Sequence, residues 1–143
     1  MDERVEAIAS AVIDCALRVH KALGPGLLES VYEAVLADGL VARGFSVVRQ
    51  QTIGIEFEGR KLAEGFRLDL LVDDRLIVEI KSVDELSGLH RKQLLTYLRL
   101  TDRPLGLLLN FNVELMKEGG FKRVANNYFR DAPFPASSSF VPS

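Results

Sequence analysis

Phe66-Arg67-Leu68-Asp69-Leu70-Leu71-Val72-Asp73-Asp74-Arg75-Leu76-Ile77-Val78-Glu79-Ile80-Lys81 reads as two strands joined by a tight turn. Apolar residues dominate both arms, and Asp73-Asp74 is the turn signal between them. Side chains alternate across a strand, so Phe66, Leu68, Leu70 and Val72 are expected on one face, with Asp69 opposite. On the second arm Leu76, Val78 and Ile80 share a face, and Glu79 and Lys81 project from the other. A hairpin closed at Asp73-Asp74 therefore brings Asp69 across from Glu79 or close to it.

The same period of two extends upstream. Ile53-Gly54-Ile55-Glu56-Phe57 roughly alternates and Glu58-Gly59 is a turn signal, so Phe45 to Val83 reads as an antiparallel meander of three or four strands. Before it the period is helical. Val5, Ile8, Val12, Ala16, Val19 and Leu23 recur at steps of three and four, Leu23-Gly24-Pro25-Gly26 ends that helix, and a second runs from about Leu27 to Arg43. After Ser82, Leu89, Leu94, Tyr97 and Leu98 mark a helix that should end near Asp102-Arg103-Pro104. Leu105 to Leu109 is apolar without alternation, as a central strand is, and a strand after a crossover helix lies parallel to a neighbour, here the Leu76 strand. Phe121 to Asn126 adds a last strand. The expected order is α-α-β-β-β-β-α-β-β, an α/β sandwich with a mixed β-sheet flanked by helices.

The chain has 143 residues, enough for one core and too few for two, and residues 1–130 are expected to form a single domain with 131–143 as a loose, Pro- and Ser-rich tail. Its 48% hydrophobic and 27% charged content is globular. One cysteine, Cys15, excludes an internal disulfide, and no CxxC or Cys/His cluster points to zinc. No apolar run approaches the ~20 residues that span a bilayer. Met1-Asp2-Glu3-Arg4 does not resemble a signal peptide, so a cytoplasmic protein with no membrane partner is expected. His20 reads as a helix-end dipole partner and His90 as a residue that could approach the site. The net charge is -2, yet 91–130 holds eight basic and three acidic residues, a local +5, against -7 elsewhere.

Asp69, Glu79 and Lys81 interrupt the stretch richest in Leu, Ile and Val, where an uncompensated charge is expensive. The bland alternative is a salt-bridged, solvent-facing hairpin side. Two neighbouring carboxylates repel, and one takes up a proton unless a cation sits between them. A divalent ion removes that cost, and oxygen donors point to Mg2+ or Mn2+. Glu29 and Tyr32 share a face at the start of the second helix, a spacing that helix-start chemistry plus a core tyrosine also explains. Gln93 and Tyr97, four apart on the third helix, share a face too.

Taken together, these motifs resemble the GxxExxY family of small bacterial proteins, a branch of the PD-(D/E)xK nuclease-like superfamily with a restriction-endonuclease-like core. Gly26, Glu29 and Tyr32 match the name-giving motif; Asp69 with Glu79-Ile80-Lys81 matches the superfamily acid, acid and lysine; Gln93 and Tyr97 match QxxxY. Leu105 to Phe111 and Lys122-Arg123-Val124 match the C-terminal pattern. Leu68 stands where the superfamily name has proline. The resemblance implies metal-assisted hydrolysis of a phosphodiester in DNA or RNA. Asp69, Glu79 and the Ile80 carbonyl would hold Mg2+ (or Mn2+), with Glu29 as an outer ligand or the holder of a second ion. Lys81 would position or deprotonate a water, and Gln93 and Tyr97 would orient substrate. Arg91, Lys92, Lys122 and Arg123 belong to the basic flank that would meet phosphates. The competing expectations are a non-catalytic nucleic-acid-binding or protein-interaction module on the same fold, and a homodimer joined through Leu105–Leu109 or the helix Val5–Val19.

Overall fold

The computed structural model describes residues 1–127. The tail expected at 131–143, and Arg130 of the basic segment, lie outside the described residues. Helix α1 (Glu3–Leu23) is capped by the Asp2 side chain, which accepts from the Arg4 amide at 2.7 Å. It buries Val5, Ile8, Val12, Ala16 and Val19 of the stripe that its spacing marks, together with Cys15, while Leu23 at the helix end is exposed. Helix α2 (Glu29–Ala42) packs back on it, burying Tyr32, Leu36, Ala37 and Leu40.

The chain then forms β1 (Val47–Phe57), β2 (Arg60–Val72) and β3 (Leu76–Lys81), crosses through α3 (Gly88–Thr101), and finishes with β4 (Leu105–Asn110) and β5 (Phe121–Ala125). The sheet order is β1-β2-β3-β4-β5; β3 and β4 are parallel and every other neighbour pair is antiparallel. The α3 crossover is what makes the β3–β4 pair parallel. Asp73 and Asp74 both take positive φ, as the two centre residues of a type I′ hairpin turn must. Three strands, rather than four, precede α3. Both β1 and β2 run without interruption because the ladder absorbs a register shift between Gly54 and Ile55. Gly65 permits this close passage: a Cβ there would lie 1.9 Å from the Ile53 carbonyl oxygen.

Each sheet face carries its own core. Leu70, Val72, Leu76, Val78, Ile80, Leu105, Leu107 and Leu109 pack against α1 and α2. Leu68, Leu71, Ile77, Leu108 and Val124 pack with Leu94 and Leu98 of α3. Every residue of β4 is buried. The apolar faces of β4 and α1, expected as a dimer interface, are thus consumed inside one chain. No helix of the described residues is long and apolar enough to cross a membrane.

One detail of β2 differs from simple alternation. Phe66 and Leu68 join the α3 core, whereas Leu70 and Val72 join the α1/α2 core, so the four do not share a face. The alternation slips at Asp69. On β1 the slip is matched by Gln50, whose φ is +51°, between the paired residues Arg49↔Leu70 and Gln51↔Leu68.

Candidate active site

The β2–β3 ladder runs from Val72↔Leu76 to Leu70↔Val78 and stops there. At the next position side chains replace backbone partners. The Asp69 amide donates to Glu79 Oε2 at 2.9 Å, and the Ile80 amide donates to Asp69 Oδ2 at 2.8 Å. Each carboxylate is therefore held by a backbone N–H at the other acid's end of the ladder, a rigid mount at the point where the strands part.

This mount is electrostatically costly. Glu79 is only 6% exposed, and burial, followed by the charge of Asp69, pushes its pKa up to about 8; the Asp69 amide and Lys81 oppose the rise. Burial also raises Asp69, against the Ile80 hydrogen bond. Lys81 is half-buried at the end of β3 and makes no direct ion pair among the described residues, but its charge lowers both acids. Near neutral pH the pair retains a proton, a charge deficit that a cation would relieve.

The residues at the start of α2 converge on the end of β3. Gly26 takes φ +100°, a conformation that favours glycine. The Tyr32 hydroxyl donates to the Gly24 carbonyl at 2.6 Å and accepts from the Leu27 amide at 3.1 Å, while its ring stacks on Phe111 at 4.4 Å. Tyr32 is therefore a fully buried brace for the loop. Glu29 is exposed and accepts from the Ser82 amide at 3.3 Å, and the Ser82 hydroxyl donates to the Leu27 carbonyl. An open groove of about 430 Å³ runs along Leu27, Leu28, Glu29, Ser30 and Ser82.

On α3, Tyr97 stacks parallel to Phe66 at 4.4 Å, and its phenol is raised by burial and then by Glu79 and Asp69, so the hydroxyl lies within the field of the acid pair. Gln93 is exposed one turn earlier, beside the exposed Arg91 and Lys92. The remaining basic residues do not form one patch. Arg123 turns to the α1 side, where its guanidinium binds both oxygens of Glu6 at 2.6 and 2.9 Å. Arg103 binds Asp74, and Lys122 is exposed on β5. His90 completes a capping box with Ser87, and buried His20 contacts the Val113 carbonyl, which assigns both to structure.

Three residues without a sequence-based role also stand here. Glu33 on α2 is buried; its Oε2 pairs with Arg49, and its Oε1 accepts from Gln50. The available signal was an acid at helical spacing with the buried Leu36, Ala37 and Leu40.

Among the described residues no three His, Cys, Asp or Glu side chains gather into a complete metal cage. Two carboxylates nevertheless fit a Mg2+-type ion, which is commonly held by one or two carboxylates and keeps several waters. Glu79 Oε1 takes no hydrogen bond among the described residues, and Asp69 Oδ1 takes only a long one from Gln50. A donor set with unspent oxygens and an unmet need for positive charge fits such an ion.

A mixed sheet between two helical layers, with an acid pair and a lysine where two strands part, is the design of a nuclease-like α/β domain. The profile of the PD-(D/E)XK nuclease superfamily matches residues 6–124, so the chain belongs to that superfamily and has its restriction-endonuclease-like fold. No curated protein and no solved structure matches the chain significantly.

Proposed function

We propose that this protein is a divalent-metal-dependent nuclease of the GxxExxY branch, which hydrolyses phosphodiester bonds of DNA or RNA in the cytoplasm. The observation that carries the reading is the reciprocal mount of Asp69 and Glu79 beside Lys81. Asp69 and Glu79, with the Ile80 carbonyl, would hold Mg2+ or Mn2+. When bound, the ion supplies charge stabilisation at the phosphate and acidifies a water. Lys81 orients the attacking water and offsets negative charge developing on the phosphate. Glu29, anchored to Ser82, holds water or a further cation at the groove edge. Gln93 and Tyr97 orient the substrate backbone, and Arg91 and Lys92 attract it.

The test is cleavage of single- and double-stranded DNA and RNA with Mg2+ or Mn2+. Cleavage by the native chain and its loss in Asp69→Ala and Lys81→Ala are expected. No cleavage of any of these, or cleavage retained in Asp69→Ala, overturns the reading. The internal engagement of Arg103 and Arg123 favours a second reading, a non-catalytic module on the same fold, because it thins the basic flank. That reading predicts no divalent-ion binding by calorimetry.

A further inference from the structure

We infer that Gln50, held in place by Glu33, is a positioning residue that sets the Asp69 carboxylate for a divalent ion; this rests on the metal-site reading above. Three relationships support it. The first is connectivity. Gln50 Nε2 donates to Glu33 Oε1 at 2.5 Å and reaches Asp69 Oδ1 at 3.4 Å, so one amide nitrogen bridges two carboxylates. Both neighbours are acceptors, which sets the amide orientation without ambiguity. Asp69 Oδ2 is already held by the Ile80 amide. The two contacts together restrict rotation of the carboxylate, as partners of a ligating group commonly do.

The second is anchoring. Glu33 is buried and receives the Arg49 guanidinium on Oε2 through Nε and Nη2, both at 3.1 Å. With one oxygen occupied by Arg49, the other is left facing Gln50. The bridge thus extends the Arg49–Glu33 contact between β1 and α2 to the acid on β2.

The third is local cost. Gln50 is a non-glycine residue at φ +51° inside a strand, and the adjacent Gln51 Oε1 is buried without a hydrogen-bond partner among the described residues. Two unfavourable features at successive residues, facing the slip at Asp69, mark a place where backbone comfort is given up for side-chain placement. In the left-handed conformation the Gln50 side chain reaches both Glu33 on α2 and Asp69, which stands opposite it between Arg49↔Leu70 and Gln51↔Leu68.

The decisive variant is Gln50→Gly, because glycine accepts this φ without strain while the whole side chain, amide included, is removed. The readouts are Mn2+ affinity of the full chain by titration calorimetry and thermal unfolding in EDTA. The expected result pairs an unchanged or higher unfolding temperature in EDTA with Mn2+ binding about 10- to 100-fold weaker than in the native chain. Gln50→Ala should weaken Mn2+ binding equally, and Glu33→Gln should do so in the same direction. Mn2+ affinity within twofold of the native value in Gln50→Gly overturns the inference and leaves the metal-site reading standing. Loss of the folded state in Gln50→Gly also overturns it, since the residue would then serve the fold. A native chain that binds no Mn2+ overturns both.

Discussion

The amide of Asp69 donates to the carboxylate of Glu79 at 2.9 Å, so the two acids are joined by a backbone-to-side-chain hydrogen bond where the β2–β3 ladder ends. Their separation is thereby set by the sheet, because each side-chain carboxylate is fixed by a backbone amide of the opposite strand. Two acids held this way can neither reach bulk water nor move apart, and burial first, then their repulsion, appear as a retained proton. The same rigidity is what a preformed ion site requires.

Stability without metal should fall as pH rises. Glu79 releases its proton near 4.5 when unfolded and near 8 when folded, so between these values the folded chain binds more protons and each step upward favours unfolding. Asp69 is raised too and acts in the same direction. Urea unfolding in EDTA across this window should show a loss of roughly 3–5 kcal/mol. Excess Mn2+ should reverse it, stabilising most at the alkaline end. A flat profile in EDTA would contradict the buried-pair electrostatics.

Glu79→Gln keeps an oxygen to accept the Asp69 amide and removes the charge. In EDTA at the alkaline end of the window it should be more stable than the native chain by roughly 2–4 kcal/mol, with most of the pH slope gone. Calorimetry should show Mn2+ binding weakened at least tenfold. Destabilisation at alkaline pH would mean that the carboxylate serves the fold.

Tyr32→Phe leaves the stack on Phe111 but deprives the Gly24 carbonyl and the Leu27 amide of their partner. A loss of about 1–2 kcal/mol is expected from urea unfolding. If the loop presents Glu29 to the site, turnover should fall in Tyr32→Phe and in Glu29→Ala alike. Stability loss with full turnover would confine Tyr32 to the fold.

Replacing both Arg91 and Lys92 by alanine should weaken binding to single- and double-stranded oligonucleotides and flatten the plot of log affinity against log salt by about 1.4–1.8, two phosphate contacts' worth. Arg123→Ala should change neither, because its guanidinium is committed to Glu6. Fluorescence anisotropy over a salt series distinguishes the two, and equal effects would return Arg123 to the substrate path.

The acid, acid and lysine could be found from spacing because a tight turn transmits register. With Asp73 and Asp74 closing the hairpin, counting outward leads from Leu70↔Val78 directly to Asp69 and Glu79. The helical hairpin and the parallel β3–β4 pair followed from period and crossover for the same reason: each depends on residues close along the chain. The slip at Asp69 has no comparable local signal, since Phe66, Leu68, Leu70 and Val72 alternate regularly in sequence yet divide between two cores. Nor do Gln50 with Glu33, 17 residues apart, or Arg123 with Glu6, 117 apart. These pairs are made when α2 settles on β1 and β5 comes beside α1. Periodicity specifies which face of an element seeks the core, whereas the partner a charged group meets depends on how the finished layers stack.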